Sequence, residues 1–188
     1  METIMRKRLY FAYGSNINLD QMAGRCPNAV PIMPVTLRGY ALSFRGMSGV
    51  ATILPKKGAK VHGLLWDLTP ICEQSLDRYE GYPHLYNKES VVVVNEKDNT
   101  GYRVMAYIMA PAHAKIPQEP TSWYFNGILD GYRQNGIPIQ PLYEALHTTR
   151  KDIAALEALN NRSFRQLDFN WQQNKGNIKP HKPKNKGR

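Results

Sequence analysis

Apolar and polar positions set out the first half of the chain as short strands. Leu9, Phe11 and Tyr13 fall on one face of a strand, with Tyr10 and Ala12 on the other. That strand runs into Gly14-Ser15-Asn16, three residues that favour tight or unusual backbone angles. A helical pattern over residues 19–25 follows and is closed by Cys26-Pro27. Residues 29–39 carry Pro31 and Pro34, which predict an irregular or edge-like stretch. Residues 40–44 read as a strand and 46–49 as a flexible break. Residues 50–54 and 61–68 read as two strands joined by a Pro55-Lys56-Lys57-Gly58 turn.

Thr69-Pro70 is a helix start, with the threonine as N-cap and the proline at the first helical position. This helix is expected to run to about Glu80, where Gly81 closes it. Residues 91–94 and 102–109 pair across a turn at 96–101. Ser122 is a cap for a helix reaching about Asn135, with Gly136 as its stop, and short helical patterns follow at 142–148 and 151–159. Strands therefore fill the first two thirds and helices the last third, without repeated βαβ units. The expected class is α+β, with a small mixed or antiparallel sheet that closes as a barrel flanked by helices. Strand order is not readable from the pattern.

Composition divides the chain. Of a net charge of +10, residues 162–188 carry +7: eight Lys/Arg against Asp168. The preceding body is left with +3, which is ordinary. The sequence reads as one domain over residues 1–160 and a basic tail over 161–188, unstructured from Trp171 onward because apolar residues almost vanish there. Weak, non-specific polyanion binding by that tail is one reading of its charge, and solubility is the other. No apolar run is long enough to span a membrane as a helix. The basic N-terminus lacks the apolar segment of a signal peptide. Two cysteines, Cys26 and Cys72, make neither a disulfide framework nor a zinc site. A reducing cytoplasm is the expected compartment.

Two stretches carry candidate chemistry. The strand–turn–helix at Tyr13, Gly14, Ser15 and Asn16 leaves backbone N–H groups free to hold a carboxylate or phosphate, or is a simple strand exit. The stretch Leu76-Asp77-Arg78-Tyr79-Glu80-Gly81-Tyr82-Pro83-His84-Leu85-Tyr86 ends a helix on an acid with four aromatic or histidine rings nearby. A carboxylate at a helix C-terminus faces the negative end of the dipole. Glu80 is thus either a general base with a raised pKa or a surface acid before a helix-ending glycine. The five histidines are isolated from one another, and no metal-ligand spacing, Walker loop, dinucleotide fingerprint or nucleophile elbow occurs.

Taken in order, Tyr13-Gly14-Ser15-Asn16, Arg25-Cys26-Pro27, Leu37-Arg38-Gly39-Tyr40, Gly49-Val50-Ala51-Thr52-Ile53, Val61-His62-Gly63-Leu64-Leu65-Trp66, Leu76-Asp77-Arg78-Tyr79-Glu80-Gly81-Tyr82-Pro83 and Tyr86 resemble the γ-glutamylcyclotransferase family, including its AIG2-like bacterial members. The resemblance covers roughly residues 9–136, and residues 142–188 find no clear counterpart. It implies a small β-barrel flanked by helices and a small-molecule γ-glutamyl substrate, with no cofactor or metal. It implies that Tyr13, Gly14, Ser15 and Asn16 hold the substrate α-carboxylate and that Glu80 is the catalytic acid/base. It also implies pocket roles for Tyr86 and Tyr124. Asn16 resembles the branch that cleaves γ-glutamyl amino acids or γ-glutamyl-protected compounds, where the glutathione-specific branch has Leu.

The implied reaction needs little from the protein beyond a base and a shape. The substrate's α-amine attacks its own γ-carbonyl, closing 5-oxoproline and expelling an amine. Three readings stand open at this level: that enzyme, a catalytically silent binding module on the same fold, and a nucleic-acid-associated protein acting through the tail.

Overall fold

The computed structural model describes residues 8–175. Five strands close a barrel in the order β1-β3-β2-β4-β5: β1 Arg8–Ala12, β2 Val30–Arg45, β3 Val50–Leu68, β4 Tyr86–Asn95 and β5 Thr100–Met109. Every neighbouring pair is antiparallel except β1 with β5, whose parallel pairing at Tyr10 and Met105 closes the ring. Four helices accompany it: α1 Leu19–Arg25, α2 Pro70–Glu80, α3 Ser122–Gln134 and α4 Gln140–Lys175. This is the α+β barrel expected from the pattern. Phe11, Phe44, Ile53, Leu64, Leu65 and Leu76 are completely or almost completely buried in its core. No described helix is long and apolar enough to cross a membrane.

Several elements match their local signals. In α2, Thr69 caps by accepting from the Cys72 N–H, Pro70 opens the helix, and Gly81 closes it at φ 65°, a left-handed angle that glycine adopts without penalty. Elsewhere tertiary structure overrides the local reading. Residues 29–39 are not irregular: most belong to β2. Pro31 and Pro34 are accommodated because this part of β2 pairs with β3 on one side, while its pairing with β4 is confined to Thr36 and Leu37. The shift in register between Pro31 and Met33 relieves the rest.

The turn expected at residues 55–58 does not reverse the chain. Arg38 pairs with Lys60 and Tyr40 with Pro55, so residues 56–59 stand opposite the single residue 39. They form a bulge inside one continuous strand, β3. The reversal lies instead at residues 46–49, between the paired ends Arg45 and Val50. Strand β1 also departs from simple alternation. Tyr10, Phe11 and Ala12 are buried on both of its faces, and so is Tyr13 just beyond its end.

The cap of α3 is Thr121, which accepts from the Tyr124 N–H, rather than Ser122. The two short C-terminal helical patterns are one helix, α4, and residues 171–175, expected to be unstructured, are its last turn. The gap expected at residues 149–150 does not break it. Thr149 is fully buried there and its hydroxyl accepts from the Phe44 N–H at 3.2 Å. The chain divides into two compact units, Met1–Lys151 and Asp152–Arg188. Most of the basic charge assigned to the tail lies outside the described residues, and so does the polyanion-binding expectation that rests on it.

Helix α3 presses on the segment that follows β1. A Cβ on Gly131 would stand 2.3 Å from Ile17 Cγ2 and 2.7 Å from the Asn18 backbone nitrogen. Helix propensity alone favours alanine over glycine by about 1 kcal/mol. Overpacking against backbone that cannot turn aside costs about 1–3 kcal/mol. The steric term wins, so Gly131→Ala is expected to lower stability in urea unfolding. A gain in stability would show that α3 and the turn are not in close contact.

Candidate active site

The chain leaves β1 at Ala12 and makes a single 3-10 turn over Ser15–Ile17. Ile17 N–H donates to Gly14 C=O at 3.0 Å and Asn18 N–H to Ser15 C=O at 3.2 Å. The turn's own bonds thus use the amides of residues 17 and 18 and not those of Ser15 and Asn16. Asn18 then caps α1, accepting from the Gln21 N–H at 3.0 Å. Helix α3 fixes this segment with side chain and backbone together. Asn18 Nδ2 donates to Gly127 C=O at 2.8 Å, and Asn135 Nδ2 donates to Ile17 C=O at 2.9 Å.

Helix α2 delivers Glu80, its last residue, to the same place. The helix is pinned along its length by charge. Glu73, 6% exposed, accepts hydrogen bonds from Arg8 and Lys88. Lys88 also donates to Asp77 at 2.8 Å, and Tyr107 O–H donates to Asp77 at 2.6 Å. Burial works against the Glu73 charge, but the bonds from Arg8 and Lys88 outweigh it and hold the carboxyl below its ordinary range. Ser75 Oγ donates to Arg25 C=O at 2.9 Å, tying α2 to the end of α1.

Between the two lies a cavity of about 210 Å³. Glu80, the Tyr13–Gly14–Ser15–Asn16 segment, Tyr86 and Tyr124 all line it. Glu80 and the six residues expected to bind substrate are therefore in one place. Tyr10, Val50, Ala51, Tyr79, Leu85 and Tyr107, to which the sequence reading assigned no substrate contact, complete the wall. Tyr79 had a signal, standing next to Glu80, but Tyr107 had none because it arrives from β5. Of the four rings expected around the carboxylate, Tyr79 and Tyr86 are there. Tyr82 is 42% exposed and lies under the Lys88 ammonium, and His84 is also exposed.

The tyrosine hydroxyls are largely spent on the frame. Tyr13 O–H donates to the Tyr107 carbonyl and Tyr86 O–H to the Ala51 carbonyl, the latter at 2.6 Å. Tyr124 Oη accepts from the Ala51 N–H at 3.1 Å. Burial raises the pKa of each of these phenols, and the Glu80 charge pushes the same way. They are neutral walls. Glu80 Oε1 accepts from Asn16 Nδ2 at 2.7 Å. Burial pushes its pKa up to about 7, against the pull of Arg25 and of the Asn16 bond. Loss of water is thus the largest cause of the rise.

The sequence model described as "Gamma-glutamyl cyclotransferase, AIG2-like" matches residues 10–125. The chain belongs to this family. Like the cyclotransferase of Bos taurus, with which it is 28% identical over 141 residues, it holds the matched segment across 70% of its own length and 73% of the relative's. It is similar also to the "Gamma-glutamylcyclotransferase" of Mus musculus, at 29% over 139 residues, covering 69% of this chain and 72% of that one. A solved structure titled "Gamma-glutamyl cyclotransferase" superposes with a TM-score of 0.67 at 26% identity, over 74% of this chain and 86% of the other. The family match thus includes the turn, α2 with Glu80, Tyr86 and Tyr124.

The raised acid has a consequence for stability. With its folded pKa near 7 and an ordinary value of 4.5, the folded state binds the Glu80 proton more tightly than the unfolded one. Stability from this group is full below about pH 4.5 and is lost as pH rises through about 7. Glu80→Gln removes the buried charge and keeps the acceptor for Asn16. Its melting temperature is expected to exceed that of the wild type at pH 8, with the difference closing by pH 4.5. A variant less stable than wild type at pH 8 would mean the ionised carboxylate is well compensated.

Proposed function

We propose that this chain is a γ-glutamylcyclotransferase that releases 5-oxoproline from a γ-glutamyl amide. The observation that carries the reading is one carboxyl with a pKa near 7, in the same 210 Å³ cavity as the Gly14–Ser15–Asn16 turn. The amides of Ser15 and Asn16 receive the substrate α-carboxylate. A substrate so held turns its α-ammonium toward Glu80. The free α-amine is scarce near neutral pH, so a base must take its proton before it can attack.

Glu80 takes one proton from the α-ammonium. The nitrogen lone pair then forms a bond to the γ-carbonyl carbon, closing a five-membered ring. As the bond from that carbon to the leaving nitrogen breaks, Glu80 returns its proton to that nitrogen. The ring nitrogen sheds its remaining extra proton, and the products are 5-oxoproline and a free amine. No water is consumed. An acid near pKa 7 suits both halves of this exchange, because neither direction of transfer is steeply uphill. Holding the chain folded on itself is the other contribution, and good intramolecular orientation is worth about 7–11 kcal/mol. Neutral tyrosine walls fit this role, since they shape the cavity without adding a second charge.

The test is a panel of γ-glutamyl amino acids and γ-glutamyl amines, with 5-oxoproline as the product measured. Turnover is expected for at least one class, rising with pH through about 7 as Glu80 ionises. Glu80→Gln is expected to lose at least about 100-fold in kcat, on the scale of general acid–base catalysis. Absence of 5-oxoproline across the panel, or full activity in Glu80→Gln, would overturn the reading.

A further inference from the structure

Arg25 lies outside the cavity wall, yet it is joined to Glu80 through one intervening side chain. Its Nη1 donates to Asn16 Oδ1 at 2.7 Å and to Ser15 Oγ at 3.2 Å, and its Nη2 donates to Gln21 Oε1 at 2.7 Å. The guanidinium carbon also lies over the Tyr79 ring, 3.8 Å from its centre. Asn16 is 2% exposed, and its amide has two ends that are easily exchanged in principle. A guanidinium donates and cannot accept, so the end it holds must be the oxygen. The Asn16 NH2 group is thereby turned the other way, onto Glu80 Oε1 at 2.7 Å and Tyr10 Oη at 3.0 Å. With the amide reversed, its oxygen would face the Glu80 carboxylate and its NH2 would face Arg25. Both contacts would then be repulsive.

We propose that Arg25 is a positioning residue of this site, fixing the orientation of Asn16 so that its amide donates to Glu80. The inference rests on the reading of Glu80 as acid/base. Arg25 acts in two ways through this arrangement. It gives Glu80 a fixed hydrogen-bond donor, and it supplies a positive charge near the carboxylate. The other titratable groups that line the cavity with Glu80 are Tyr10 and Tyr13 from β1 and its end, Tyr79 beside it on α2, Tyr86 from β4, Tyr107 from β5 and Tyr124 from α3. All are phenols, so Arg25 is the cation that sets against burial in holding the Glu80 pKa down. The stacking on Tyr79 and the bond to Gln21 keep the planar fork in one orientation, which a lysine cannot reproduce.

Two readouts test this. The first is the titration of Glu80 itself, followed by carbon NMR of its side-chain carboxyl and assigned by loss of the signal in Glu80→Gln. Arg25→Met is expected to move the midpoint to higher pH. Arg25→Lys, which keeps the charge and loses the planar fork, is expected to bring it only part of the way back. Full restoration would mean that charge alone and not the orientation of Asn16 is at work, overturning the proposal. Where Arg25→Met does not fold, Arg25→Gln is read in the same way. A midpoint unchanged in the charge-removing variant overturns the proposal. This measurement stands even for a protein with no turnover, an outcome that would overturn the proposed function alone.

The second readout is the rate on the γ-glutamyl compound that the panel identifies. Arg25→Met is expected to lose about 10-fold or more in kcat at pH 7, with little change in KM and with the acidic limb shifted upward. A variant with lowered melting temperature but unchanged kcat per folded molecule and an unchanged limb would mark Arg25 as structural, overturning the proposal.

Discussion

A half-buried carboxylate held in a cavity wall at the end of a helix is the constraint that the rest of this structure meets. Left alone, Glu80 would retreat to solvent or the end of α2 would fray. Neither is open to it, because α2 is fastened upstream of the acid. The Glu73 and Asp77 carboxylates, both on α2, share Lys88, and Arg8 and Tyr107 add a bond each. Those contacts lie on the same helix as Glu80 and tie it to β1, β4 and β5 of the barrel. Breaking such a cluster by removing one partner leaves an uncompensated charge, which is far more costly than losing an exposed pair. Gly81 completes the fastening by closing the helix in a left-handed turn immediately after the acid. The barrel thus supplies the stability that the site spends.

The opposite wall is built from neutral parts. The turn after β1 is short, and α3 crosses against it closely enough to require glycine at position 131. Side chains of Asn18 and Asn135 reach between the two segments and bond to backbone carbonyls on the other. Position is thereby set by main chain on both sides, which moves less than side chain does. The tyrosines follow the same logic. Three of their hydroxyls are bonded to main-chain groups of residues 51 and 107, so the rings stand at fixed angles and the cavity keeps its shape without a ligand.

The placement of the candidate site residues was more legible in the sequence than the course of the strands. Tyr13, Asn16 and Glu80 were legible because each sits at a local feature with its own grammar: a strand exit, a tight turn, a helix end before glycine. The capping of α2 by Thr69 and Gly81 was legible for the same reason. Pro31, Pro34 and the Pro55–Gly58 run misled, since proline and glycine say that a ladder is interrupted and not whether the chain reverses. Only pairing partners decide that, and Arg38 with Lys60 and Tyr40 with Pro55 make the interruption a bulge. Tyr107 and Tyr10 reach the cavity by strand order and by burial of both faces of β1, which no local window contains. Thr149 looked like a gap between helices and is a buried bond to Phe44.

The arrangement also explains why one cation is enough. A lysine or arginine lining the cavity itself would pair with Glu80 directly and lower its pKa, as Arg8 and Lys88 together do for Glu73. An acid so held would be a poor partner for a proton near neutral pH. A cavity with no positive charge nearby would let burial push the acid upward without restraint, leaving too little of the ionised form. Arg25 is set one side chain back, its effect passed on through a neutral amide. The same residue types therefore give two opposite results a few turns apart on α2. Direct pairing lowers the Glu73 pKa and anchors the helix, while burial set against pairing at one remove leaves the Glu80 pKa at about 7.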